Sequence, residues 1–280
     1  MYMNFLSLYM NLCEGGKIDD KHHRRCGRTV KVEVRQAANV LDLLEFFAER
    51  KQPATMAEIS EALSWPRSST FNLIGTLSGR GYLYEPSGRG GYYPTPRWLS
   101  ASQAVAEADP LPDAVIAAAR AIRDSTGETT CIASASGLSA IMLFVAESRQ
   151  PIRYFAAAGS RVPIHASSVG RALMALMSKS DRDTLYRRMD FDSGSPNAPQ
   201  SAAEVEHELI EASKRGYHQS NSEFVPDLAG VSVPLPADRR RLSLVVAGPT
   251  SRCLEKRSDL YRHIVEALVD HDLSLKNMPD

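Results

Sequence analysis

The segment from Thr55 to Tyr93 constrains the fold more than any other part of the sequence, because it predicts two short helices, a tight connection and a hairpin in immediate succession. Thr55 and Glu58 have the spacing of a capping box, in which each residue satisfies a free amide at the start of a helix. The connection falls at Ser64-Trp65-Pro66, and a second helix then runs to about Ser78. Helices this short are stable only when they share a core with neighbouring segments.

Signals on both sides of this pair complete a compact unit. A preceding helix is predicted over Gln36–Arg50, where apolar residues recur at helical spacing. After the pair, Leu83 alternates with tyrosines, Pro86-Ser87-Gly88 supplies a turn, and Tyr92-Tyr93 begins the returning strand. Three helices followed by a hairpin are typical of a winged helix-turn-helix.

The second helix of the pair carries small hydrogen-bonding groups beside its apolar residues. In a helix-turn-helix this helix enters the major groove, where its first residues meet base edges and phosphates. Asn72 can pair with an adenine edge and Arg67 with guanine or phosphate, while Arg89 lies at the hairpin tip, where a wing reaches DNA. The predicted DNA-binding residues are Arg67, Ser68, Ser69, Thr70, Asn72, Thr76 and Arg89. The alternative is a winged unit that contacts another protein, with its serines acting as ordinary helix caps.

Periodicity and proline positions divide the chain into four segments. Residues 1–30 show no periodicity and no cleavage site, so we expect a disordered leader or residues upstream of the true start codon. Residues 31–94 are predicted to form the winged helix-turn-helix domain, and 95–109 a linker helix that two prolines end. Residues 1–98 contain 13 Lys and Arg against 10 Asp and Glu, a mild basic excess that permits nucleic-acid binding.

Residues 110–280 alternate between helical and strand patterns, which predicts an α+β domain around one antiparallel sheet. The predicted strands are Thr129–Ala135, Ala140–Ala146, Ile152–Ala157, Tyr217–Asn221, Ala229–Leu235 and Leu242–Ala247. The predicted helices are 115–125, 167–177, 182–189, 201–216 and 254–273.

The residue inventory disfavours several classes of function. The cysteines Cys13, Cys26, Cys131 and Cys253 show no close pair spacing, which indicates reduced thiols in a cytoplasmic protein. No stretch is long enough to span a bilayer. The sequence also lacks a G-x-S-x-G elbow, a phosphate-binding glycine loop and a metal-ligand spacing. We therefore predict no enzymatic activity, no metal, no cofactor and no membrane partner.

The run Ala158–Ser168 is the most site-like stretch of the second domain. Ser167 and Ser168 precede an apolar helix whose free amide end favours an anion, so a carboxylate effector would fit there. His165 is either a pocket residue or a structural histidine with satisfied hydrogen bonds. A hydrolase built on His165 and Ser167 is disfavoured, because residues two apart on one loop do not easily set up nucleophile–base geometry.

Several segments, in their order and spacing, resemble a known family: MAEISEALSWPRSST with GTLSGRGYL, then GRGGYYPTPRWL, VPIHASSVGRALMA, KRGYHQSNSEF, VSVPL and VVAGP. They are similar to the IclR-type bacterial transcriptional regulators, from about Val32 to the end of the chain. The resemblance implies a winged helix-turn-helix, a linker helix and an effector-binding domain related to GAF and PAS-like sensors. It further implies dimers or tetramers that bind palindromic operators in double-stranded DNA under the control of small organic effectors, often carboxylates or aromatic acids.

The resemblance, together with the strands facing the site-like run, indicates effector-binding residues. The predicted set is Gly159, Ser160, His165, Ser220, Asn221, Gly230, Val245 and Ala247. Where a family member that binds small keto acids has a cysteine and two serines, this chain has Gly230, Val245 and Ala247, which implies a larger or less polar effector. Asn72 stands where the family often has arginine, and Trp65 where it has leucine, which affects the operator sequence. The alternative function is a ligand-binding interaction protein that keeps the winged fold without binding DNA.

Overall fold

A computed structural model describes residues 34–86, 91–191, 195–235 and 240–273. The described chain divides into two compact units, the first ending at Pro110 and the second beginning at Leu111. The expected leader, residues 1–30, and Arg89, which was predicted at the hairpin tip, lie outside the described ranges. Within those ranges, no helix combines the length and the apolar character needed to cross a membrane.

The first unit packs helices against a small three-stranded sheet. Its helices are α1 (Arg35–Arg50), α2 (Met56–Ala62), α3 (Arg67–Gly79) and α4 (Arg97–Ala108). Its strands are β1 (Ala54–Thr55), β2 (Leu83–Tyr84) and β3 (Gly91–Pro94), paired antiparallel in the order β1-β3-β2. Leu43, Phe47, Ile59, Trp65 and Ile74 lie in the core between them. The paired helices α2 and α3 with the hairpin β2–β3 form the predicted winged helix-turn-helix.

Local hydrogen bonds explain why α2 and α3 begin where they do. The Glu58 amide donates to the Thr55 hydroxyl at 3.3 Å, and the Thr55 amide donates to the Glu58 carboxylate at 2.8 Å. The predicted capping box is therefore confirmed. Ser64 turns the chain with a φ of 53°, and the Ser60 hydroxyl donates to the Trp65 carbonyl at 2.7 Å. These contacts fix the tight connection from which α3 starts.

The second unit is a six-stranded antiparallel sheet covered by helices. The strands are β4 (Thr129–Ser136), β5 (Ser139–Ala146), β6 (Arg161–Pro163), β7 (His218–Asn221), β8 (Leu228–Leu235) and β9 (Leu242–Pro249), in the order β6-β5-β4-β9-β8-β7. The helices are α5 (Asp113–Thr126), α6 (Ser168–Ala175), α7 (Lys179–Tyr186), α8 (Ala202–Arg215), α9 (Thr250–Cys253) and α10 (Arg257–Asp270). The predicted α+β class is confirmed, although the helix predicted over 254–273 begins only with α10, after the separate short helix α9.

Alternation along the strands separates the two faces of this sheet, because neighbouring residues on a strand point to opposite sides. Val231 and Leu244 lie in a core shared with α5 and α10. Val245 lies in a second cluster beneath α6. Gly230 and Ser232 of β8 are on the α6 side as well, since both lie next to the side chain of Ser168, the first residue of α6.

The prediction of a strand over Ile152–Ala157 is wrong. The Tyr154 carbonyl accepts a hydrogen bond from the Thr129 hydroxyl at 2.7 Å, and Arg252 donates to the Ile152 carbonyl at 2.8 Å. Side chains therefore hold this segment as a loop. The strand that pairs with β5 at the sheet edge is β6 instead.

Candidate functional sites

Helix α3 has one buried face and one exposed polar face. Ile74 and Leu77 are buried in the core of the first unit. The exposed polar residues are Arg67, Ser68, Ser69, Asn72 and Thr76. Thr76 donates its hydroxyl hydrogen to the Asn72 carbonyl at 2.8 Å. The helix start has no side-chain cap, since Pro66 occupies the capping position, so the backbone amides of the first turn are open to a phosphate.

The structure contradicts the prediction that Thr70 contacts DNA. Its side chain is 1% exposed and lies on the same face of α3 as Ile74 and Leu77. The Thr70 hydroxyl donates to the Pro66 carbonyl at 3.2 Å, which satisfies a polar group that would otherwise be buried without a partner. Thr70 therefore stabilises the start of α3 from inside the unit.

The second unit contains a pocket between the start of α6, the segment from β7 to β8 and the strands beneath. The pocket is narrow, with a cavity volume of about 40 Å³, and it opens to solvent on one side. The polar residues that line it are Ser167, Ser168, Ser220 and Glu223. The apolar lining is Met142, Tyr154, Val162, Ala166, Val169, Phe224, Val225, Leu228, Gly230, Val245 and Ala247. A mostly apolar lining with a few convergent polar groups is typical of sites for small organic molecules.

Serine hydroxyls converge on the pocket where α6 begins. Ser168 Oγ lies 3.3 Å from Ser220 Oγ and 2.8 Å from Ser232 Oγ. Ser167 is the N-cap of the helix, and its hydroxyl accepts a hydrogen bond from the Gly170 amide at 3.2 Å. Ser220 and Ser232 both donate to Ser168 Oγ, which leaves the Ser168 hydroxyl free to donate to an anionic oxygen at the positive end of the α6 dipole; the Ser220 hydroxyl can do so by rotating.

Gly230 lies at the same point, where serine hydroxyls already occupy the space that a side chain would need. A β-carbon at this position would lie 2.8 Å from Ser168 Oγ, 3.0 Å from Ser220 Oγ and 3.5 Å from Val245 Cγ2. These neighbours are side-chain ends that can rotate, so a larger residue at Gly230 would narrow the pocket rather than displace a strand.

Behind the hydroxyls, Arg171 of α6 holds the segment that follows β7. Its side chain is 1% exposed, and it donates to the two carboxylate oxygens of Glu223 at 2.6 and 2.9 Å. It also donates to the backbone carbonyls of His165, at 2.7 Å, and of Gln219. Because Glu223 lines the pocket, the charged pair forms part of its wall. In the described part of the chain no lysine or arginine is among the lining residues. An anionic ligand would thus meet serine hydroxyls, backbone amides and the Glu223 carboxylate, whose charge Arg171 balances from behind.

The structure brings half of the predicted effector residues together. Ser220, Gly230, Val245 and Ala247 all line the pocket. Gly159, Ser160, His165 and Asn221 do not. Gly159 and Ser160 extend the pairing at β5, where the Gly159 amide donates to the Met142 carbonyl at 2.7 Å. Asn221 is exposed at the end of β7.

His165 is buried away from the pocket. Its ring packs edge-on against Phe191, with ring centroids 5.3 Å apart. Burial, reinforced by the Arg171 charge, lowers the pKa of His165 to about 4. Burial also lowers the pKa of His218, on β7, to about 3, with Arg171 and Arg215 adding to the effect. Both rings are therefore neutral near physiological pH. His165 does not line the pocket, and its buried Nε2 has no hydrogen-bond partner among the described residues, so it is not the satisfied structural histidine of the second interpretation either.

Glu223 is the lining residue for which the sequence offers the least indication. It lies 52 residues after Arg171, and no local spacing rule links the two positions. Tyr154 and Phe224 lie in loops of the structure, and the strand pattern around Tyr154 is misleading about what its side chain faces. The one available signal for Glu223 is its place in KRGYHQSNSEF, the motif that also contains Ser220.

Both cysteines of the second unit are buried free thiols. Burial raises the pKa of Cys131 and of Cys253 to about 12, so both thiols stay protonated. Among the described residues, no group of three His, Cys, Asp or Glu side chains is placed to hold a metal ion.

Both units match models of one class of protein. Residues 36–87 match the IclR helix-turn-helix domain, and residues 107–272 match the bacterial transcriptional regulator IclR C-terminal domain. The fold and the two sites therefore define a bacterial transcriptional regulator with an effector-binding domain. The chain belongs to the IclR family.

Individual relatives agree with this assignment. The HTH-type transcriptional regulator BhcR of Paracoccus denitrificans is 26% identical over 237 residues, covering 84% of this chain and 85% of the relative. The structure of IclR from Thermotoga maritima matches with a TM-score of 0.70 at 17% identity, over 85% of this chain and 98% of that one. An IclR homologue from Microbacterium hydrocarbonoxydans, solved in complex with 4-hydroxybenzoate, matches with a TM-score of 0.64 at 18% identity. The match covers 84% of this chain and 98% of the homologue. The predicted family and fold class are confirmed.

Proposed function

We propose that two copies of this protein bind a palindromic operator through α3 and the hairpin, and that a small organic carboxylate in the pocket modulates this binding. The observation that carries the proposal is the exposed polar face of α3 with its open helix start. The proposed DNA contacts are Arg67, Ser68, Ser69, Asn72, Thr76 and Arg89. A two-fold dimer matches a palindrome because its recognition helices enter successive major grooves. A regulator of transcription works where the chromosome is, so we place it in the cytoplasm.

Loss of the amide at Asn72 is expected to weaken operator binding more than non-specific binding. The Asn72→Ala variant should raise the dissociation constant for the operator roughly 5- to 150-fold, since a bidentate contact to a base contributes about 1–3 kcal/mol. Ser69→Ala should weaken binding to all sequences more evenly, because Ser69 is proposed to contact phosphate. The measurement is fluorescence anisotropy with the intergenic DNA beside the protein's own gene, over a salt series.

Asn221→Ala is the matched control, because it removes an exposed asparagine from the second unit. It should bind DNA like the wild type. Unchanged affinity in both α3 variants would remove α3 from the interface. A folded wild-type protein without any salt-dependent, specific binding would indicate that the winged unit contacts another protein instead.

For the effector, we propose a monocarboxylate with an apolar body. The carboxylate would accept hydrogen bonds from Ser168 and Ser220 at the start of α6, and the apolar body would lie against Met142, Val245 and Ala247. The relative solved with 4-hydroxybenzoate supports a ligand of this kind. Binding changes operator affinity only if one arrangement of the dimer holds the ligand more tightly than the other.

The variant Gly230→Val should weaken effector binding and leave operator binding intact. Its side chain would crowd the Ser168 and Ser220 hydroxyls, and overfilling a packed site costs about 1–3 kcal/mol. A cost of this size borne by the ligand-bound form lowers the affinity roughly 5- to 150-fold. Isothermal titration calorimetry with benzoate, 4-hydroxybenzoate, phenylacetate, glyoxylate and pyruvate tests this, with Asn221→Ala again as the control outside the pocket. Preferential binding of glyoxylate or pyruvate by the wild type would contradict the proposed effector class.

A further inference from the structure

The exposed face of α3 carries one large apolar side chain among its polar groups. Phe71 is 64% exposed, although it lies on a helix whose other face is well buried. One turn further on, Gly75 has no described atom within 4 Å of the position of a β-carbon, so the surface next to Phe71 on this helix is open as well. Phe71 is absent from the residues packed against the core of this unit, as far as the structure describes it.

The neighbours of the ring indicate what covers it. Ser68 and Asn72 are exposed on the same helix, three residues before and one residue after Phe71. The open amides of the α3 start and the Arg67 guanidinium favour a polyanion over an apolar protein surface at this point. The apolar group that double-stranded DNA offers to a helix in its major groove is the C5 methyl group of thymine.

We infer that Phe71 is a specificity-determining residue that packs on a thymine methyl group in the major groove. This inference rests on the proposed function, since it requires α3 to lie in the groove. Phe71 and Asn72 are consecutive residues, about 1.5 Å apart along the helix axis. Asn72 reads adenine, so each half-site contains a thymine contacted by Phe71 next to or opposite the adenine contacted by Asn72. Phe71 thereby recognises A·T pairs through an apolar contact, in addition to the hydrogen bonds that Asn72 makes.

Replacing thymine by deoxyuridine tests the contact, because it removes the methyl group and keeps the base pair. Full-length protein is used to select its preferred duplex from a randomised library, and each thymine of the half-site is then replaced in turn. The wild type should lose affinity about fourfold at one or two positions, the factor expected for one methyl-sized apolar group. Phe71→Ala should bind the thymine duplex more weakly and should bind the thymine and deoxyuridine duplexes equally.

Phe155→Ala is the matched control, since Phe155 is a phenylalanine of the second unit with 71% exposure. It should keep the wild-type preference for thymine. Indifference of the wild type to every deoxyuridine substitution overturns the role of Phe71, as does a Phe71→Ala variant that still discriminates. If no preferred duplex emerges from the selection, the proposed function fails and this inference fails with it.

Discussion

Replacing Gly170 by alanine is expected to destabilise the second unit severely. A β-carbon at Gly170 would lie 2.1 Å from the Ile164 carbonyl oxygen and 2.5 Å from its Cα. Both are backbone atoms, so relief requires α6 to move away from the segment that precedes it. Overpacking of this kind costs about 3 kcal/mol at the upper end of its usual range, which is a decrease of about 10 °C in the midpoint of thermal unfolding.

Gly75 provides the matched control for this experiment, because it also lies inside a helix but has no atom within 4 Å of a β-carbon position. Gly75→Ala should stabilise the first unit by about 0.5–1 kcal/mol, the usual gain from replacing a helical glycine. Scanning calorimetry on each variant separates the two effects. An unchanged midpoint for the second unit in Gly170→Ala would show that α6 does not pack this closely on Ile164.

The second large loss of stability is expected when Arg171 is replaced. Arg171→Met should lower the free energy of unfolding by about 3–5 kcal/mol, because it leaves the Glu223 carboxylate partly buried without its cation. The carbonyls of His165 and Gln219 lose a donor in the same variant. Since Glu223 lines the pocket, effector affinity should fall as well. Urea unfolding and calorimetric titration measure the two losses.

A double-mutant cycle separates the ion pair from the other contacts of Arg171. The double variant Arg171→Met with Glu223→Gln should be more stable than the sum of the single losses predicts, by about 1–3 kcal/mol. Lys179→Met is the control, because Lys179 pairs with Asp183 at an exposed position where an ion pair contributes less than about 1 kcal/mol. Additive losses in the cycle would mean that the carbonyl contacts, and not the ion pair, hold the segment after β7.

Features that depend on neighbours in sequence were predictable. The capping box at Thr55 and the apolar spacing of Ile74 and Leu77 define α2 and α3 without reference to the rest of the chain. Which polar residues of α3 face solvent was less predictable. A threonine can face solvent or bond to the carbonyl four residues earlier, and Thr70 does the latter.

Features that depend on distant residues could not be predicted. The segment around Tyr154 has strand-forming residues, but hydrogen bonds from Thr129 and Arg252 keep it out of the sheet. In the run from Ala158 to Ser168, Ser167 and Ser168 line the pocket, whereas His165 packs on Phe191. Which way a loop residue points is decided by packing across the fold, which local composition does not encode.

The contrast between two glycines of the second unit has a consequence for how this regulator can evolve. A change at Gly170 meets backbone and would be removed by selection for stability, whereas a change at Gly230 meets side-chain ends that can rotate. A single codon at Gly230 can therefore alter the dimensions of the pocket while the fold remains within its margin of stability. After gene duplication, descendants of this protein could diverge in the metabolite they sense through that one position, before any change in the DNA they recognise.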